Sequence, residues 1–147
     1  MGGLSHFLKF VNMRKKGIMA EEKNFENKIK QYLKSIGIYS AGTPYQSMEV
    51  PCRGFFAKIW GGGFQKGGIP DIILCINGVF VGLELKASHS HPSPIQIKNL
   101  ELIGKSGGYG LLVYPKGFEN LKKIIFFILG ETAELPDSES FCKIFHE

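Results

Sequence analysis

The chain has 147 residues, is 44% hydrophobic and carries a net charge of +5, which suits one globular domain with a real core; no internal repeat or low-complexity tract argues otherwise. Three scattered cysteines, Cys52, Cys75 and Cys142, form no C-x-x-C pair, which argues against a disulfide framework or a zinc site and fits a reducing cytoplasm. The longest late apolar run, Ile-Ile-Phe-Phe-Ile-Leu at 124–129, falls far short of the about 20 residues that span a membrane, and no signal-peptide core opens the chain, so neither membrane nor export is expected.

The charge is unevenly placed. Lys9, Arg14, Lys15 and Lys16 lie in the first 18 residues with no acid among them, and the remainder holds 14 basic against 13 acidic side chains. Residues 1–18 therefore read as a basic leader, either an arm gripping phosphates or an extension with no role, and the second is the expectation here. A single domain is predicted over 19–130, followed by a tail over 131–147.

Phe25, Ile29, Tyr32, Leu33 and Ile36 recur at helical spacing, which predicts an amphipathic helix over about 22–36 ending at Gly37. Glu26 lies at the edge of its apolar stripe, where an acid in the first turn would complement the helix dipole. Residues 38–54 read as irregular, punctuated by Gly42, Pro44 and Pro51. A strand follows over Phe55 to Trp60, then a glycine-rich loop over 61–68. Gly62 and Gly67 have P-loop spacing, but Gly68 stands where that motif needs lysine, so this is not an ATP site. Small residues there permit close approach of a nucleic-acid backbone, with Lys58 and Lys66 able to contact phosphates. Trp60 could stack on a base or, equally, pack in the core.

Asn77-Gly78 between Ile-Leu-Cys-Ile and Val-Phe-Val is a strong hairpin signal. It predicts antiparallel strands over about 71–76 and 79–86, in a register that sets Asp71 opposite Glu84 as a non-hydrogen-bonded pair, with Cα atoms about 4.5 Å apart. Lys86 projects from the same face as Glu84. Two like charges about 4 Å apart repel by about 4 kcal/mol at an effective dielectric of about 20, and a shared divalent cation reverses that sign. Oxygen ligands without a nearby thiolate or imidazole favour Mg²⁺, with Mn²⁺ as substitute. Each charge alone would read as a solvated strand end; three on one face argue for a site. The apolar opposite face, and the Ile73, Cys75 and Phe80 that share the charged one, predict helices over both sides of the sheet.

His89 and His91 read as ordinary loop residues. Ser93-Pro94 predicts a helix start and Gly107-Gly108 its stop, with Gln96 completing a capping box. Gln96 also shares a face with Leu100 and Ile103, pointing toward the sheet; one rotamer is not expected to serve both ends. A strand over 109–114 and a helix over 118–129, with Phe118, Leu121, Ile125 and Ile128 inward, complete an α/β fold: a mixed central sheet containing an antiparallel hairpin, flanked by helices. The tail carries no decipherable role.

Pro70-Asp71 followed by Glu84-Leu85-Lys86 resembles the signature of the PD-(D/E)XK nucleases. The strings Gly-Gly-Ile-Pro-Asp-Ile-Ile and Gly-Leu-Glu-Leu-Lys-Ala-Ser are similar to the VRR-NUC and Holliday-junction-resolvase-like branch found in phages and prophages. That resemblance implies a restriction-endonuclease-like core and Mg²⁺-dependent cleavage of DNA, selective for branched or junction structures and compatible with a homodimer. It implies that Asp71, Glu84, the Leu85 carbonyl and Glu26, directly or through water, hold the metal, that Lys86 serves the attacking water, and that Gln96 supports the site. The competing expectations are a nucleic-acid-binding module with a vestigial nuclease site, and a structural protein with incidental strand-end charges.

Overall fold

The structure, a computed structural model, describes residues 3–60 and 67–147. Its elements in chain order are α1 (Gly3–Ser35), β1 (Ile38–Ser40), β2 (Gly54–Lys58), β3 (Ile72–Ile76), β4 (Val79–Leu85), α2 (Pro94–Lys105), β5 (Tyr109–Val113), α3 (Phe118–Ile128) and β6 (Cys142–Phe145), with short 3-10 turns at Tyr45–Ser47 and Pro115–Gly117. The six strands form one mixed sheet whose spatial order is the chain order. β1–β2 and β4–β5 are parallel; the other neighbours are antiparallel. The α/β class expected from the sequence is the one observed.

The central hairpin follows from its turn. Asn77 and Gly78 both take positive φ, 51° and 77°, as a type I′ connection demands. The register is then fixed, with Ile76 opposite Val79 and Ile72 opposite Leu83. On one face, Ile72, Leu74, Ile76, Val81, Leu83 and Leu85 join Phe25, Ile29 and Leu33 of α1 and Phe118, Leu121, Ile124 and Ile125 of α3 in the main core. Gly37, just past α1, takes the left-handed φ of 88° that ends the helix.

The other face is only half covered. Gly82 and Gly110 are partners across β4–β5, and together they make a shallow seat for α2. A Cβ on Gly82 would meet Ile103, and one on Gly110 would meet the Leu100 carbonyl. Over β2–β3 no helix of the described residues lies, and Phe55, Cys75 and Phe80, register neighbours, are exposed. Helices thus flank both sides of the sheet, as expected, α1 and α3 on one and α2 on the other, with α2 lying over β4–β5. Because the neighbour of Gly110 is backbone, Gly110→Ala is expected to lift α2 and cost about 1–3 kcal/mol, measurable as a lower urea midpoint with unchanged slope.

Three further boundaries differ from expectation. The helix expected to open near residue 22 begins at Gly3, so the predicted leader continues α1; its buried residues nevertheless begin only at Phe25. Within 38–54, read as irregular, β1 pairs with β2, setting Ile38 beside Gly54. The tail supplies β6, which pairs with β5 and brings His146 into a stack on Tyr109 at 3.8 Å between ring centroids. Since Leu4, Phe7, Leu8, Phe10 and Met13 are exposed, a chain starting at Met19 is expected to keep the thermal midpoint of the full protein. A large drop in a thermal melt would refute this.

Candidate active site

Asp71 immediately precedes β3, whose outermost pair is Ile72 with Leu83; one more rung in the same register would set it opposite Glu84, and Glu84 feels its charge. Pro70 would be the next rung, facing Leu85, but proline has no N–H to give. The Leu85 N–H is taken by Asp71 Oδ2 at 2.9 Å, while the Asp71 carbonyl accepts from the Ile59 N–H at 2.8 Å. The Leu85 carbonyl, on the side facing Pro70, receives no ladder donor from it.

Glu84 is 1% exposed. Its Oε1 accepts from Gln96 Nε2 at 2.6 Å and lies 3.5 Å from Lys86 Nζ, whereas its Oε2 is buried with no hydrogen-bond partner. Burial, with the Asp71 charge adding to it, pushes the Glu84 carboxyl up to about 7. Asp71 is also raised by burial, against the opposing pull of the Leu85 N–H and of Lys58 and Lys86. Two acids are thus held together with an ammonium beside them, in surroundings that disfavour their charge.

Gln96 corrects the expectation that one rotamer could not serve two roles. Its Oε1 accepts from the Ser93 N–H at 2.8 Å and completes the capping box with Ser93, while its Nε2 reaches Glu84. The amide has two ends, and the Gly82–Gly110 seat brings α2 near enough for both to be used.

Glu26 is buried on α1, paired with Lys58 and with Lys30, whose Nζ lies 3.3 Å from Oε2. Burial alone would raise its carboxyl, but the two ammonium groups outweigh that and leave it below its ordinary value. It lines a cavity of about 190 Å³ together with Glu22, Lys58, Asp71 and Leu85. Glu22 was not singled out by the sequence, although it stands one helical turn before Glu26 and so shares its side of α1. Burial raises the Glu22 carboxyl, with Lys86, Asp71 and Lys58 the charges it feels. One residue earlier, Glu21 binds the backbone and hydroxyl of Ser88, tying α1 to the segment after β4.

Trp60 is 73% exposed, which settles against core packing, and Lys58 Nζ lies 5.5 Å from its ring centroid. Lys66 lies outside the described residues. His89 and His91 are exposed and take no part in this cluster.

Among the described residues, no three His, Cys, Asp or Glu side chains come together in a metal-holding group. Mg²⁺, however, commonly takes only one or two carboxylates and fills its remaining positions with water and substrate oxygen. The donor set of Asp71, Glu84 and the Leu85 carbonyl fits such an ion, and the orphaned Glu84 Oε2 is the atom that asks for one. Among the described residues no helix is long and apolar enough to cross a membrane. Compared with family models, curated proteins and solved structures, the chain has no match.

Proposed function

We propose that the chain is a metal-dependent endonuclease that hydrolyses phosphodiester bonds in DNA, selective for branched or junction structures. One observation carries the reading: Glu84, fully buried with one oxygen lacking a hydrogen-bond partner, is held by Gln96 and Lys86 and feels the charge of the nearby Asp71. An acid pair in this setting costs stability unless it serves an ion or a proton.

Asp71, Glu84 and the Leu85 carbonyl would hold Mg²⁺, or Mn²⁺ in its place, with Glu26 completing the set directly or through water. The chemistry such an ion supplies is polarisation of the scissile phosphate and stabilisation of the leaving oxygen. Gln96 fixes the Glu84 carboxylate by donating to one of its oxygens. Lys86 orients the attacking water or takes up its proton, and its charge offsets that growing on the phosphate. Among the described residues no element is an evident reader of base edges, which favours recognition of DNA shape over a long sequence. A homodimer would present two such sites to two strands.

The test is incubation with matched junction, flap, single-strand and duplex DNA, with and without Mg²⁺ or Mn²⁺. Ion-dependent cutting that prefers the branched substrates is expected. Binding without cutting under every condition would instead support a nucleic-acid-binding module, a reading favoured by the engagement of Glu26 with two lysines.

A further inference from the structure

A second cavity, about 460 Å³, opens between the C-terminal half of α1 and the β1–β2 edge of the sheet. Lys30, Lys34 and Lys58 line it with Tyr39, Thr43 and Trp60, and no acidic side chain of the described residues does. Lys58 also lines the cavity that holds Asp71, Glu22 and Glu26, so the two spaces share a wall. Lys30 and Lys34 are one helical turn apart, roughly 5–6 Å, and form a basic row leading along α1 toward the carboxylates. At the mouth, Trp60 presents an indole that no core contact uses, being 73% exposed.

Ammonium groups along one wall match phosphates, and an exposed aromatic face matches a nucleobase. Ligand pockets for small molecules run from about 300 to 1,000 Å³, so the space is of the order a single nucleotide needs. A base paired within a duplex is stacked on both faces and cannot enter a side cavity; an unpaired one can.

We propose that this cleft holds an unpaired nucleotide of the nucleic-acid strand next to the bond to be cut, its base stacked on Trp60 and its phosphates on Lys30 and Lys34. Its position beside a scissile bond rests on the nuclease reading; the binding does not. The cleft supplies a physical reason for selecting single strands, flaps and branch points where pairing is interrupted, because only these offer a free base beside an intact backbone.

Trp60 is the only tryptophan of the chain, so its fluorescence reports the cleft directly. In EDTA, where no metal-dependent cleavage intervenes, a short oligo(dT) is expected to quench this emission and to bind at least tenfold tighter than a blunt duplex of equal length. With fluorescein-labelled oligo(dT) followed by anisotropy, Trp60→Ala is expected to weaken binding by roughly 5- to 150-fold, the range of one base–aromatic stack. Lys34→Ala, at an exposed position, is expected to weaken binding and to reduce the slope of log K against log salt by about 0.7. Equal affinity for the duplex, or wild-type affinity in both variants, would overturn the proposal. Should oligo(dT) bind as expected while no DNA is cut with Mn²⁺, the cleft stands and the nuclease falls. Cutting that persists in a protein whose oligo(dT) binding ignores both residues means the reverse.

Discussion

Asp71→Asn is expected to yield a folded protein whose Mg²⁺-dependent cleavage falls by about 10²- to 10³-fold or more, the scale on which loss of one charge-stabilising group acts. The fold should survive because the amide oxygen of asparagine can still accept the Leu85 N–H that Asp71 now holds. Removing one of two facing acids also relieves their repulsion, so the thermal midpoint should stay level or rise. Mn²⁺ should raise the midpoint of the wild type by several degrees at concentrations well above its dissociation constant, since a ligand that prefers the native state stabilises it. In Asp71→Asn that increment should vanish. Circular dichroism, a melt with and without Mn²⁺, and a nicking assay check the three statements; full activity in this variant would end the metal-site reading.

Glu84 makes the second large prediction, read through pH. Its carboxyl stands at about 7 in the folded chain, above the value of about 4.3 expected when unfolded. Between those values the native state binds more protons than the unfolded one, so stability falls as pH rises through the window and is lowest once both states are ionised. The size is on the order of 3 kcal/mol. In EDTA, unfolding free energies from about pH 5 to pH 8 should therefore decline in the wild type. In Glu84→Gln the decline should be shallower, with greater stability than the wild type above pH 7 and little or no cleavage. Asp71 and Glu22 are also raised and slope the same way, whereas the lowered Glu21 and Glu26 slope oppositely. The difference between the two proteins, rather than either curve, isolates Glu84. An identical slope in both would mean that this carboxyl ionises as if in water. With Mn²⁺ present the trend should weaken or reverse, because carboxylates must lose their protons to hold an ion.

The hairpin was legible because its cause is local: two residues able to take positive φ set the pairing of all those beyond them, and so placed Asp71 against Glu84. Helix α2 and its capping box were legible for the same reason. What bears on Gln96 was not, since its reach to Glu84 depends on Gly82 and Gly110 meeting across separate strands. The Lys58–Glu26 pair joins residues 32 positions apart, and no periodicity reports that. Strand β6 exists only because β5 offers it an open edge, so the short Cys-Lys-Ile-Phe run carried little signal by itself. The early start of α1 was hidden by the absence of buried positions before Phe25 and by Gly17, which costs a helix interior about 1 kcal/mol. Trp60 balanced evenly between core and surface until the end of β2 at Lys58 left it beyond the sheet.

Pro70 turns out to govern more than a bend. Any other residue there could extend the zipper by one rung and quench the Leu85 oxygen with an amide hydrogen, leaving the hairpin tidier and its tip chemically mute. The imino ring withholds that hydrogen, so the rung where pairing fails is the one at which the proposed ion would find its backbone oxygen.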